Sequence, residues 1–259
     1  MNLVMTGELA NAYHSGAQRA RVVTEAWATE NLYCPNCSAS KLTGLDNNSK
    51  ATDFSCPDCN STYQLKGQKT QLGNSIADGA YGAMMEAIQN DRTPSFYFMH
   101  YDLATWQVKN LLLIPSFAFP ASAIIQRKPL SPAARRAGWV GCNIALNRIP
   151  LDARISIVTN ESAIPPSVVR EQFQRLKPLK ALSVKQRGWT LDVLTLVRRI
   201  AGADQREFTN EEVYAFTREL EEWHPDNRHV RDKIRQQLQV LRDAGFLRHL
   251  GPGCWSLTV

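Results

Sequence analysis

Between Asp102 and Asp152 the chain has no acidic residue at all. The same stretch holds Lys109, Arg127, Lys128, Arg135, Arg136 and Arg148. Positive charge with no negative charge beside it sets up a local field that attracts phosphate. The chain as a whole is only mildly basic, with a formal charge of +6. It is the placement of charge, more than its amount, that points to nucleic acid. Other absences narrow the classes further. No run approaches the ~18 uninterrupted apolar residues that a membrane span needs. The opening residues, MNLVMTGELANAYHSG, contain acidic and polar groups and no apolar signal core. A cytoplasmic protein with no membrane partner, monomeric in solution, is therefore expected. No internal repeat stands out.

Disulfides are not expected either, because the cytosol keeps thiols reduced. Four of the six cysteines fall in two Cys-x2-Cys pairs, Cys34/Cys37 and Cys56/Cys59, with 18 residues between them. Two such knuckles place four thiolates in a tetrahedron around one Zn²⁺, at ~2.3 Å each. Four protein ligands leave no open position for a substrate, so the metal is expected to be structural. A redox dithiol would need only one of the pairs. Pro35 and Pro57 stiffen the two tight turns. Cys142 and Cys254 stand alone and are expected as small buried apolar residues.

Periodicity predicts a first helix over 8–31, with Ala17, Ala20, Val23 and Trp27 on its apolar face. The knuckles are separated by a polar loop, SASKLTGLDNNSKA. TDF and TYQLKG read as two strands joined by the second knuckle. A helix is expected over about 75–90, with Ile76, Ala80, Ala83, Met84, Ala87 and Ile88 on one face. SFYFMHYD, WQVKNLLLIP and ARISIVT are strand-like, rich in aromatic and branched residues. The basic stretch 116–150 reads as irregular, and 167–177 as a short helix.

Composition shifts near 178–189, and beyond it the pattern is helical. Helices are expected over 189–201, over FTNEEVYAFTRELEEW and over NRHVRDKIRQQLQVLRDAG, the last stopped by Gly245. The second has Thr209 or Asn210 as N-cap and Glu212 placed for a capping box. Its acidic residues, Glu211, Glu212, Glu219, Glu221 and Glu222, are expected to face solvent. FLRHLGPGCWSLTV then reads as strand, turn, strand. Three helices followed by a hairpin is the winged-helix arrangement. The expected architecture is an α/β domain over 1–180, a mixed sheet flanked by helices and carrying the zinc knuckle, followed by a winged helix over 181–259.

Asp53 lies on one strand of the knuckle hairpin. Gln64 and Lys66 occupy alternate positions of the other and so face the same side. Asp53 and Gln64 can present oxygens to a hard divalent cation. Lys66 can orient a water or offset charge on a pentavalent phosphate. The pattern resembles the PD-(D/E)xK nuclease motif, with Gln in the place of an acidic residue. Glu25 could reach the same site from the first helix, although the helix surface is its expected place.

YCPNC, TDF followed by CPDC, YQLK, DGAYGAMM, IIQRKPLSPAARRAGWVGCNI, SVKQRGWTLDVL and KIRQQLQVLRDAGFL extend this likeness over nearly the whole chain. Together they resemble the DpnI family of methyl-directed restriction endonucleases, also called Dam-replacing proteins. The resemblance implies a PD-(D/E)xK nuclease core followed by a winged helix, each reading the methylated site. It implies a Mg²⁺-dependent endonuclease that cuts duplex GATC when the adenine is N6-methylated. Asp53 and Lys66 keep the family's residue types. Gln64 stands where Glu is expected, and a neutral amide is the poorer Mg²⁺ ligand. A working enzyme is still the favoured expectation. The alternatives are a non-catalytic reader of methylated DNA and a zinc-braced regulator.

An N6-methyl group lies on the major-groove edge of adenine, so sensing it needs an apolar contact flanked by donors and acceptors. The acid-free stretch offers Arg135, Arg136, Trp139 and Asn143 for this, with Trp139 as one wall of a methyl pocket. Arg127 and Lys128 suit phosphate. Trp139 could instead be a core residue, but Gly138 and Gly141 beside it favour an exposed loop. In the last helix Val230, Ile234, Leu238 and Leu241 form the expected buried seam. Arg228, Arg231, Arg235, Gln239 and Arg242 form a separate stripe suited to guanine and adenine edges. Asp232 and Asp243 are expected to fall off that stripe. The zinc itself reads as a clamp that holds the hairpin of Asp53 and Lys66 to the first helix.

Overall fold

The computed structural model describes residues 1–45, 52–204 and 206–258. In chain order the first elements are α1 (Gly16–Asn31), β1 (Thr43–Gly44), β2 (Phe54–Ser55), β3 (Thr62–Gln68), β4 (Ser75–Ala80) and α2 (Tyr81–Gln89). Next come β5 (Ser95–Asp102), β6 (Gln107–Ile114), β7 (Ile124–Gln126), β8 (Gly141–Ala145), β9 (Ile155–Thr159), β10 (Ser162–Ala163) and α3 (Pro166–Lys180). The last are α4 (Val184–Ala201), β11 (Phe208–Thr209), α5 (Asn210–Tyr214), α6 (Thr217–Trp223), α7 (Val230–Asp243), β12 (Leu247–Gly251) and β13 (Cys254–Leu257). They pack as two units. One comprises Met1–Gly73, Thr93–Ser116 and Asp152–Lys177; the other comprises Asn74–Arg92, Phe117–Leu151 and Pro178–Val259.

The first unit is built on a mixed sheet ordered β1-β2-β3-β5-β6-β9-β10. Only β3 and β5 run parallel, with Tyr63 beside Ser95 and Lys66 beside Phe98. β5 lies inside the sheet, and Phe96, Tyr97, Phe98 and Met99 are at most 1% exposed. A strand covered on both faces reads as an unbroken apolar run, which is what SFYFM is. Burying each such side chain contributes ~1.5–3 kcal/mol. The helix expected over 8–31 divides into a 3-10 turn, Gly7–Ala12, and α1. Val23, Thr24, Trp27 and Ala28 of α1 are buried, whereas Ala17 is exposed. Trp27 Nε1 donates to the Asn2 carbonyl at 2.7 Å, which holds the N-terminal segment against the helix.

The second unit contains two three-stranded antiparallel sheets, β4-β8-β7 and β11-β13-β12. The first of these corrects two expectations. Residues 75–80 are strand, not helix, and α2 begins only at Tyr81. Ile76 and Ala80 do recur at helical spacing, but the backbone of 75–80 pairs with β8, Ile76 lying opposite Ile144. That pairing is non-local and overrides a local pattern. The basic stretch is also less irregular than expected, since it supplies both β7 and β8.

The winged helix forms in the second unit. α4 starts earlier than residue 189, with Ser183 Oγ accepting from the Gln186 amide at 3.4 Å. The expected acidic helix breaks at Ala215–Phe216 into α5 and α6. Thr209, not Asn210, is the N-cap, and Glu212 closes the capping box. Asn210 instead ties the helix start to the wing, accepting a hydrogen bond from Trp255 Nε1 at 2.8 Å. β11 joins the β12–β13 hairpin and widens the wing. Two of the acidic residues are ion-paired as well as solvated, Glu219 with Arg199 at 2.9 Å and Glu212 with Arg206 at 2.7 Å. On α7 the seam is as expected, with Val230, Ile234, Leu238 and Leu241 buried. Gln237 joins it at 0% exposure and accepts from Thr190 Oγ1 at 2.7 Å. Cys142 is buried as expected, but Cys254 is only half-buried.

Candidate metal centre, active-site cleft and DNA-facing surfaces

The two cysteine knuckles close on one another. The sulfurs of Cys34, Cys37, Cys56 and Cys59 all lie within 4.8 Å of one another. Cys34 and Cys59 are 3.6 Å apart, and Cys37 and Cys56 are 3.5 Å apart. Zn–S bonds of ~2.3 Å in a tetrahedron space the sulfurs by ~3.8 Å, so the cluster has the size and donor set for zinc. Asn60, in the second knuckle, takes a positive φ of 57° and its amide donates to the Cys56 carbonyl at 3.0 Å. Without metal, burial pushes the Cys34 thiol up to about 12. Burial also raises Cys59, but the Ser61 hydroxyl and amide, with the neighbouring thiols, outweigh it and bring Cys59 down to about 6.

The cluster is tied to more than the first helix. Cys34 Sγ lies 3.0 Å from the Tyr63 hydroxyl on β3. From α3, Arg170 donates to the carbonyls of Cys34 at 3.1 Å and Ala39 at 3.0 Å, and Gln174 donates to that of Asn36 at 3.1 Å. The Arg170 guanidinium also lies 5.2 Å from the centre of the Tyr33 ring. Nothing in the spacing of the sequence announces this second brace. The part of the polar loop at 46–51 lies outside the described residues.

β2 and β3 are antiparallel and are joined by the second knuckle, as expected. Asp53 sits at the mouth of this hairpin, where its Oδ2 accepts the Leu65 amide at 2.7 Å. Gln64 and Lys66 flank Leu65 and share a strand face. Burial raises the Asp53 carboxyl above its ordinary value, against the opposing pull of the Leu65 amide, Lys66 and Arg21. Asp53 also lines a cleft of about 370 Å³, together with Thr52, Phe54 and, from α1, Arg21, Glu25 and Thr29. Gln64 and Lys66 are not among the residues that line it.

Glu25 is thus not a plain surface residue. Its side chain is 32% exposed, and Arg21 Nε lies 3.8 Å from its carboxylate. Burial raises the Glu25 carboxyl, Arg21 lowers it, and the charge of Asp53 raises it again. Lys66 and Arg21 thus both pull the Asp53 carboxyl down, and Asp53 in turn raises Glu25. Arg21 is absent from the sequence-based expectations. Its only advance signal is the four-residue spacing from Glu25 on one helix face.

In the second unit, the strands β7 and β8 continue as a ribbon into the basic segment. The Arg127 amide donates to Gly141 and that of Leu130 to Trp139, each at 2.9 Å. Arg127, Lys128, Arg135 and Arg136 are exposed on it, and Trp139 is half-buried, not a core residue. The Arg136 guanidinium lies 4.7 Å from the centre of the Trp139 ring. Such a cation–π contact holds an indole by ~0.5–1 kcal/mol at an exposed site. A Cβ on Gly141 would come within 2.8 Å of that indole, so glycine is what lets Trp139 lie across the strand. Asn143 is half-buried within β8, opposite Ala77 and Ile125.

A family model described as the Dam-replacing family, DpnI, matches residues 1–182. The chain belongs to the DpnI family. A second model, described as the Dam-replacing HTH domain, matches 185–256, which spans α4 to β13 except at the margins. Membership makes this a DNA-binding protein of restriction type, in a family of methylation-dependent restriction endonucleases. No helix among the described residues is long and apolar enough to cross a membrane.

In this DpnI-family HTH domain, Arg228, Arg231, Arg235, Gln239 and Arg242 are all exposed, away from the buried seam of α7. Asp232 and Asp243 do not stand clear of them, which corrects the sequence expectation. Asp232 is ion-paired with Arg235, and Asp243 with Arg242 at 2.8 Å. Side chains three residues apart share a helix face, and the long Arg242 side chain reaches its neighbour at the helix end. Arg231 is held differently, 5.3 Å from the centre of the Tyr214 ring.

Proposed function

We propose that this protein is a Mg²⁺-dependent endonuclease that hydrolyses double-stranded DNA at GATC sites carrying N6-methyladenine. The observation that supports this is the hairpin: it carries Asp53, Gln64 and Lys66 at a spacing that resembles a nuclease motif, in a chain that matches the DpnI family over 1–182 and its HTH domain over 185–256. The donor set near Asp53 is rich in oxygen and partly buried, which suits a hard divalent cation. Asp53 and Gln64 would hold Mg²⁺, which when bound acidifies water and offsets phosphate charge. Lys66 stands on the face of Gln64 and places a positive charge where the attacked phosphate becomes more anionic. Zn²⁺ in the Cys34/Cys37/Cys56/Cys59 cluster fixes the hairpin and stays away from the chemistry.

In this proposal residues 1–180 do the cutting and 181–259 add a second DNA contact. Trp139 packs against the methyl group and Asn143 contacts a neighbouring base edge. Arg127, Lys128, Arg135 and Arg136 engage phosphates around it. Arg228, just ahead of α7, and Arg231, Arg235 and Gln239 on it enter the major groove.

The test is incubation with Mg²⁺ and either fully methylated or unmethylated plasmid. Cutting of the methylated plasmid alone is expected. One observation, the neutral side chain of Gln64, favours a second reading, a reader that binds methylated DNA without cutting it. Methyl-dependent binding with no cleavage, and cleavage gained by Gln64→Glu, would sustain the reader and sink the enzyme.

A further inference from the structure

We infer that Glu25 supplies the second carboxylate of the divalent-metal site, taking the charge that Gln64 does not provide. This rests on the proposed nuclease site and names one more residue of it. Three observations converge. Glu25 and Asp53 line the same cleft, reached from two different elements, α1 and the β2–β3 hairpin. Both carboxylates are half-buried. Arg21 Nε lies 3.8 Å from the Glu25 carboxylate and lines the same cleft, so a cation already stands among these carboxylates. Two half-buried carboxylates around one positive group are poorly stable without it and attract a replacement of higher charge.

The position of Glu25 on α1 is fixed by its neighbours. Val23, Thr24, Trp27 and Ala28 are buried, so residue 25 is turned to the edge of that buried face, toward the cleft. Thr24 lies against Gly67 at the end of β3: a Cβ there would sit 3.4 Å from Thr24 Cγ2. The helix and the catalytic strand are thus in register, one residue away from Glu25. Asp53 alone gives a divalent ion one charged ligand, and Gln64 adds a dipole only. Glu25 brings the count of carboxylates to two, within the one or two by which a hard cation that keeps several waters is held. Arg21, once displaced, is free to turn toward phosphate.

The experiment is Mn²⁺ titration of the zinc-loaded full chain by electron paramagnetic resonance, with zinc content and binding to methylated duplex measured on the same samples. Glu25→Gln is expected to weaken Mn²⁺ binding at least about tenfold, with zinc content and duplex binding unchanged. Gln64→Glu in the same chain is expected to restore it. Asp53→Asn should remove binding altogether. Wild-type Mn²⁺ affinity in Glu25→Gln, with binding lost in Asp53→Asn, would overturn the role of Glu25 and leave the site standing. A loss that Gln64→Glu fails to restore would overturn the compensation. Failure of the wild-type chain to bind Mn²⁺, or undiminished binding in Asp53→Asn, would overturn the underlying site as well.

Discussion

At the scale of single residues, the protein's chemistry depends on side chains that local structure holds still. Lys66 is fixed on β3 between residues that pair with β2 and β5. Lys66→Ala is expected to lower the cleavage rate by about 10²–10³-fold, the usual cost of losing one charge-stabilising donor. Binding to methylated duplex should persist, and a gel assay run beside a binding assay checks both halves. Cleavage that survived the substitution would mean that the active site lies elsewhere. Trp139 makes a parallel case. Gly141→Ala forces a Cβ into the indole at 2.8 Å and should push Trp139 off the ribbon. The expected result is a loss of preference for methylated over unmethylated duplex with an unchanged melting temperature. An unaltered preference would remove Trp139 from methyl recognition.

What the sequence discloses at this scale depends on whether chemistry or packing sets the position. The four cysteines were readable because zinc demands their spacing. The shared face of Gln64 and Lys66 is legible because strand alternation is a fixed period. Glu25 is legible only as a residue able to reach the site, and Arg21 not at all, because their place depends on how α1 lies against the sheet. The Asp232–Arg235 and Asp243–Arg242 pairs escaped notice for a similar reason, since flexible side chains reach beyond the stripe on which their Cα atoms sit.

At the scale of elements, the winged helix is the most legible part, since α4 and α5 are capped by Ser183 and Thr209 and α7 is amphipathic. The segment 75–80 was the least legible, because its strand exists only through pairing with β8 far along the chain. The start of α5 provides a pH test. The Thr209 amide holds the Glu212 carboxyl below the usual carboxylate range, helped by Arg206. A lowered folded-state value means that Glu212 stabilises the fold above its ordinary value of 4.5 and loses that contribution as pH falls through the lower one. Glu212→Gln is expected to cost about 0.5–1 kcal/mol at pH 7, the low end for a cap, because the pair is exposed to solvent. The difference from wild type should shrink toward zero in acid, as measured by urea unfolding across pH. A difference that stayed constant from pH 7 to pH 3 would show that the cap acts without its charge.

At the scale of the whole molecule, DNA binding should be strongly salt-dependent, because many of the proposed contacts are with phosphate. Lys128→Ala is expected to weaken binding to all sequences alike and to reduce the slope of log affinity against log salt by about 1. A change in sequence or methyl preference instead would make Lys128 a base-reading residue. Removal of zinc acts at the same scale. The cluster reaches β3 through Tyr63 and α3 through Arg170 and Gln174. A strong chelator should therefore abolish cleavage even with Mg²⁺ in excess, and re-addition of Zn²⁺ should restore it. Acid should do the same, since protons compete with zinc for thiolates. Cleavage unaffected by complete loss of zinc would end the clamp role.

The order of these parts along the chain has a consequence for biosynthesis. All four cysteines and the hairpin of Asp53 and Lys66 precede β4, whereas Arg170 and Gln174, which brace the zinc knuckle, come more than 100 residues later. A ribosome-bound chain can thus capture zinc and close its hairpin early, but the second brace arrives only when α3 has emerged. In the proposed endonuclease, cutting would therefore wait until α3 has emerged. Truncated chains ending before Pro166 should accordingly retain zinc yet fail to nick methylated DNA; nicking by such a fragment would show that the early hairpin is already armed.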